Sequence, residues 1–308
     1  MAGYENHAGF NITGSKLQVV EVNYFEDQFR LVNVDEVNFD EQFDFEHDQD
    51  SKFSTLLQGA FQKLNLRKKL NSNSVSFTFP LEIFYTAQIP YDTSLLYQDM
   101  IEEFKWELSI LYPFLEDKDL VLQYYEVSKN QFNENDTAIV FGIRRKYLQL
   151  IDSFCKKNSL KLKFVDHPHI AAEKALSIVN INSTKALNLS VYLVKDFLSL
   201  LFSFNGKPVS LKTIPLNDLS EITDLLMKEI SGSPSLNIST SQISNVYISG
   251  TIITHNLVQT LKKALGIDFI VFNPFDKIRP IPDLYESKHY LENYNSFTSA
   301  AGIVFRLS

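Results

Sequence analysis

At 308 residues the chain is long enough for two ordinary domains or one large bilobal fold. Its 44% hydrophobic and 21% charged residues, with 25 Phe and 14 Tyr against 10 Gly, are the composition of a globular protein with substantial cores. A net charge of −8 excludes nucleic acid as the main partner, because phosphate binding needs a basic face. The single cysteine, Cys155, excludes an intramolecular disulfide framework and fits a reducing cytoplasm.

The opening MAGYENHAGFNITG has neither the basic start nor the apolar run of a secretory signal. From His7 onward three short strands are expected, with turns at NITGSK and NYFEDQ. Residues 35–50 then carry eight acids and interleaved Phe, without Lys or Arg. This stretch lacks the glycine and terminal glutamate of an EF-hand loop, and reads as a solvated strand edge and loop. A helix follows, SKFSTLLQGAFQKLNL, with Ser51 as its expected cap, and then a strand SVSFTF closed by Pro80. A second unit begins near Ile83: strand, long helix, two strands, helix. Its long helix places Leu96, Met100, Ile101, Phe104, Leu108 and Leu111 at helical spacing, with Trp106 at the margin.

The stretch VDHPHIAAEKAL gathers Asp166, His167 and His169 around Pro168, a pattern that raises the question of a metal site. Further ligands at suitable spacing are absent, since His7, His47, His255 and His289 are scattered. The stretch therefore reads as a helix entrance with Pro168 at the first helical position, Asp166 or His167 near the cap, and the histidines partly exposed. No metal is expected. Next, ALNLSVYLVKDFLSLLFSF is broken by Lys195 and Asp196 and reads as two strands rather than a membrane helix. With KPVSLKTIP they form a meander, turning at Asn205-Gly206. A helix, a Ser/Asn-rich loop SGSPSLNISTSQ, then strand, helix, strand and a final helix LENYNSFTSAAGIVFRL complete the chain. A basic cluster, Arg144, Arg145, Lys146, Lys156, Lys157, Lys161 and Lys163, reads as a solvated helix face or a surface for acidic lipid or peptide. No nucleophile motif of a Ser/His/Asp hydrolase is present.

Three tightly turned strands followed by alternating helix and strand occur twice, which is a duplicated α/β lobe. Taken in order, FNITGSKLQVVEV, AQIPYDTSLLYQDMIEEFKWELSILYPFLED, AIVFGIRRKYLQLIDSFCKKNSLKLKFVDHPHIAAEKAL, NVYISGTIITHNLVQTLKKALGIDFIVFNPFDKI and SFTSAAGIVFRLS resemble the PilM family, actin-like proteins of type IV pilus assembly. The resemblance implies an actin-like, ribonuclease-H-like ATPase fold. Residues 1–83 and 164–184 would form the first lobe, 84–163 an FtsA/PilM-type inserted α/β subdomain, and 185–308 the second lobe. In that division the final helix packs back on the first lobe, and the second-lobe subdomain is reduced to about thirty residues.

Nucleotide-binding relatives hold Mg²⁺ and phosphate with carboxylates and closely approaching glycines. On the matching positions this chain has Asn11, Thr13 and Gln18 in the first hairpin, with Gly14 and Ser15 displaced nearby. It has Leu193 and Lys195 in the second hairpin, and Ser249, Gly250 and Thr251 at the adenosine turn. The resemblance therefore implies a pseudo-ATPase with no cofactor. It would be a cytoplasmic adaptor, peripheral to the inner membrane, that binds the cytoplasmic tail of an inner-membrane assembly protein without nucleic acid. The candidate contacts are Phe104, Trp106, Arg144, Arg145 and Tyr147, where the insert meets the first lobe. The alternative is a weak nucleotide-binding ATPase switch that uses Mg-ATP.

Overall fold

The structure, a computed structural model, describes residues 5–25, 28–115, 119–179, 186–232 and 238–307. Residues 26–27 of the expected turn NYFEDQ, 116–117 of YPFLED and 233–237 of the Ser/Asn-rich loop lie outside them. The chain starts with three antiparallel strands, β1 (His7–Ile12), β2 (Lys16–Phe25) and β3 (Gln28–Asn38). Helix α1 (Asp50–Arg67) leads to β4 (Ser74–Thr78), parallel to β1. The chain then forms β5 (Phe84–Pro90), α2 (Tyr97–Leu111), β6 (Leu120–Val127) and β7 (Thr137–Arg144), and continues with α3 (Arg145–Lys157), β8 (Lys161–Asp166) and α4 (Pro168–Val179). A second meander follows, β9 (Leu187–Val194), β10 (Phe197–Phe204) and β11 (Lys207–Pro215), then α5 (Ile222–Gly232), β12 (Ile243–Gly250), α6 (His255–Leu265) and β13 (Phe269–Val271). The last elements are β14 (Arg279–Pro280), α7 (Lys288–Leu291) and α8 (Thr298–Val304).

These elements divide into two units, one of residues 1–83, 146–179 and 273–308, the other of 84–145 and 180–272. In the first unit the sheet runs β14-β3-β2-β1-β4-β8; in the second, β11-β10-β9-β12-β13. Leaving out the short edge strand β14, both follow one plan: third, second, first, fourth, fifth. The meander supplies three antiparallel strands and each helical crossover adds a parallel one. The second unit also holds a three-stranded sheet, β5-β7-β6.

In the first unit, sheet strands are covered on both faces. One face carries an aromatic core in which Phe10 stacks on Phe77 at 5.0 Å and Phe154 meets Phe61 edge-on at 5.2 Å. Across the other face lies α8, every residue of it buried, packed on β1, β2 and β4 and against α4. The two helices touch at Gly302, where an added Cβ would stand 1.6 Å from the Ala171 carbonyl oxygen. Also inside is Glu21, whose Oε1 accepts the backbone N–H groups of Asn71 and Ser72 at 2.7 and 2.8 Å. Burial pushes this carboxyl above its ordinary range against those hydrogen bonds.

Residues 146–163 sit differently from the sequence-based division. They belong to the first unit, because α3 buries Tyr147, Ile151, Phe154 and Cys155 and β8 pairs with β4. Residues 84–145 join the second-lobe strands instead: Gln88 and Asn133 both donate to the Val209 carbonyl, and Phe132 meets Phe204 at 5.2 Å. Residues 273–308 lie wholly in the first unit, with β14 paired to β3. The long final helix is broken as well. Ser296 turns both its N–H and its hydroxyl to the Asn293 carbonyl, so a 3-10 turn at Tyr294–Phe297 precedes α8. Helix α1 starts at Asp50, with Gln49 rather than Ser51 as its N-cap, and the Gln49 carbonyl accepts from Lys52. The turn Asn205-Gly206 has φ of 54° and 71°, the left-handed pair a two-residue hairpin needs.

Candidate functional site

Parallel α/β sheets place their chemistry at the carboxyl ends of the strands. In the first unit the register aligns Glu36, Gln18, Asn11, Thr78 and Asp166 in one row across β3, β2, β1, β4 and β8 at that edge. Side chains at one register level share a face, and four of the five are joined. Thr78 Oγ1 donates to Asn11 Oδ1 at 2.8 Å, Asn11 Nδ2 to Gln18 Oε1 at 2.8 Å, and Gln18 Nε2 to Glu36 Oε2 at 2.9 Å. Lys16 Nζ donates to the same Glu36 oxygen at 2.8 Å, and Ser296 Oγ accepts from Gln18 at 3.3 Å. Burial pushes the Glu36 carboxyl up, but the hydrogen bonds and charge of Lys16, with Gln18, hold it below its usual range. Thus Asn11 and Gln18 spend their polar atoms on each other and their neighbours.

The turn above them is closed too. Thr13 Oγ1 accepts the backbone N–H of Ser15 at 3.2 Å and of Lys16 at 3.0 Å. The carbonyls of Gly14 and Ser15 accept from Phe43 and Phe39, both at 2.7 Å. Backbone N–H groups that would have to point at a phosphate are thereby held by a side chain of the same turn.

The equivalent row in the second unit is Leu198, Leu193 and Gly250. Leu193 is fully buried, while Lys195 and Asp196 form the exposed turn between β9 and β10. Gly250 has φ of 125°, and an added Cβ would lie 2.0 Å from the Leu193 carbonyl oxygen, which accepts the Thr251 N–H at 3.1 Å. This glycine serves strand-to-strand approach. Ser249 is buried beside it.

The partner candidates separate. Phe104 and Tyr147 are interior residues, 1% and 5% exposed, the tyrosine hydroxyl donating to the Phe45 carbonyl at 2.8 Å. Neither presents a surface to a partner, which corrects that expectation. Helical spacing pointed Phe104 toward α2's own small sheet. Arg144 is half-buried and Arg145 exposed, and Trp106 is 59% exposed on α2.

His167 and His169 are buried rather than partly exposed, because α4 packs against the buried helix α8 in the first unit. Burial pushes both imidazoles well down, His169 to about 3, so both are neutral. Pro168 opens α4, and the Asp166 carboxylate accepts the His167 N–H at 2.9 Å while pairing with Arg306. Among the described residues, no three His, Cys, Asp or Glu are grouped to hold a metal ion. The acidic stretch is largely satisfied internally: Asp35 by Arg67 at 3.0 Å, Asp40 by Lys63 at 2.6 Å, Asp48 by Lys52 at 2.9 Å and Asp50 by Lys146 at 3.1 Å. The last pair, with Lys156–Asp152 and Lys163–Glu5, also engages three of the seven residues of the basic cluster. Among the described residues no helix is long and apolar enough to cross a membrane.

Two sheets of one plan, with an extra α/β element inserted after the first lobe's fourth strand, define an actin-like ATPase fold. The chain is similar to a chain of the PilM–PilN type IV pilus biogenesis complex, with a TM-score of 0.76 and 18% identity over 99% of each chain. It is also similar to a Bacteroides thetaiotaomicron protein with an actin-like ATPase fold, with a TM-score of 0.53 and 13% identity over 87% of this chain and 91% of that one. A third is the ethanolamine utilization protein EutJ of Carboxydothermus hydrogenoformans, with a TM-score of 0.50 and 8% identity over 97% and 89%. No family model matches the sequence, and no curated protein does. At these identities the likeness establishes the fold.

Proposed function

We propose that this protein is a non-catalytic actin-like adaptor that binds the cytoplasmic tail of an inner-membrane assembly protein and works without Mg-ATP. The observation that carries the reading is the closed row Thr78–Asn11–Gln18–Glu36–Lys16, in which the groups standing at the first hairpin's nucleotide positions are consumed by one another. The second hairpin supports it, since Leu193 offers no carboxylate and Gly250 is filled by backbone. A fold shared with a chain of a PilM–PilN type IV pilus biogenesis complex supports a role in an assembly of that kind.

Thermal unfolding with and without millimolar Mg-ATP tests the reading. A ligand at 100 times its Kd would add about 2.7 kcal/mol of stability; with the nucleotide positions closed, no shift in melting temperature is expected. A clear upward shift abolished by EDTA would replace the adaptor with a nucleotide-dependent switch.

A further inference from the structure

Helix α2 buries Met100, Phe104 and Leu108 on the face toward its own sheet. Surface helices normally turn a polar face outward, yet α2 has Trp106 59% exposed and Ile110 54% exposed, one helical turn apart on the opposite side. Acids surround them. The segment 92–115 carries Asp92, Asp99, Glu102, Glu103 and Glu107 against Lys105 alone, and Lys105 is held by Glu102 at 2.6 Å. Between α2 and β6 lies a groove of about 590 Å³ lined by Tyr97, Asp99, Ile101, Glu102 and Lys105, which shares two of the acids but not Trp106 or Ile110; on the outer face the charge pattern decides what fits.

We infer that the outer face of α2 is a docking site for a basic amphipathic peptide segment, whose apolar side chains cover Trp106 and Ile110 while its Lys or Arg residues face Glu102, Glu103 and Glu107. Cytoplasmic segments next to membrane spans are rich in Lys and Arg, so this chemistry suits the tail of a membrane protein; that choice of source rests on the adaptor reading, whereas the site does not. An anionic lipid surface is repelled by the same acids. The buried aromatic anchor would supply affinity, and the acidic rim orientation and on-rate.

Trp106 is the chain's one tryptophan, so its fluorescence reports this face alone. The probe is a synthetic 18-residue amphipathic peptide of Leu and Lys, titrated into the full-length chain, with a Leu/Glu peptide of the same pattern as control. The expected result is a saturable shift of Trp106 emission to shorter wavelength with the Leu/Lys peptide, weakened by salt and absent with the Leu/Glu peptide. A Glu102→Lys, Glu103→Lys, Glu107→Lys variant should bind at least about tenfold more weakly, as like charges then face each other. Glu102 is exposed and Glu103 and Glu107 are half-buried, and circular dichroism verifies that the variant folds. Lack of a shift, or equal binding by the charge-reversed variant, overturns the site. So does a shift produced by anionic phospholipid vesicles but not by the peptide, or by raising the protein's own concentration, which would assign the face to lipid or to a second copy. The Mg-ATP measurement remains independent of all these outcomes and tests the adaptor reading separately.

Discussion

Restoring the missing carboxylate at the first hairpin, Asn11→Asp, discriminates sharply between a closed polar row and a dormant nucleotide site. Asn11 is 1% exposed, and its Nδ2 donates to Gln18 Oε1 at 2.8 Å. An aspartate there loses that donation and sets a carboxylate against the Gln18 oxygen. Gln18 cannot turn its amide to help without withdrawing Nε2 from Glu36, a carboxylate held charged at the other end of the row. One buried charge is left short of a donor, a situation that costs about 3–5 kcal/mol. Thr78 still donates from the other side, so the lower end, about 3 kcal/mol, is expected near neutral pH. The sign follows from burial. The folded-state pKa of the new carboxyl is raised above its unfolded value of about 3.9, so the penalty is present at high pH and fades as pH falls through the folded-state pKa. Urea unfolding followed by circular dichroism at neutral and acidic pH measures both effects. A loss under about 1 kcal/mol, or recovery of stability with Mg-ATP, would refute the reasoning.

The buried carboxyl of Glu21 has its folded-state pKa raised, so it costs stability above the unfolded value of about 4.3. Glu21→Gln keeps an acceptor for Asn71 and Ser72, and its stability relative to the parent should therefore improve as pH rises from acid to neutral in urea titrations. Gly302→Ala would gain about 1 kcal/mol from helix propensity, but its Cβ meets the Ala171 backbone oxygen at 1.6 Å, so a net loss of about 3 kcal/mol is expected by the same assay. Burial, with Asp152 nearby, pushes the Cys155 thiol up to about 12. Native protein should resist alkylation at mildly alkaline pH, and denatured protein should take up one equivalent by mass spectrometry.

Periodicity and turn chemistry made much of the fold legible. The alternation in β9 and β10 survived because Lys195 and Asp196 mark the turn between them, and Asn205-Gly206 marks the next. The assignment of 146–163 failed because α3 is amphipathic wherever it packs; its pattern names the buried residues but not the sheet that buries them. The histidines failed for a related reason. A Pro-flanked Asp-His-Pro-His looks like a polar turn, yet α4 is buried against α8, more than a hundred residues further along the chain, which only long-range contacts reveal. Within the first hairpin, Asn11 and Gln18 were readable as departures, whereas Glu36 and Thr78, which complete their hydrogen bonds, were not. The signal existed in the register of the meander, since Gln18 pairs with both Asn11 and Glu36. Ile110 was missed because one apolar residue on a wet helix face is ordinary; its position one turn from Trp106 makes the pair visible only with exposures in hand.

The place of α8 on the face of β1, β2 and β4 has a consequence for synthesis. On a ribosome, the first strands emerge nearly three hundred residues ahead of the helix that covers them. At about 5–20 residues per second, that apolar face waits on the order of tens of seconds for its cover. The second unit, whose residues lie between, can assemble in the meantime. The first unit is therefore the one whose nascent chain most needs a chaperone, and interruptions of translation before residue 298 should yield insoluble product rather than a smaller folded protein.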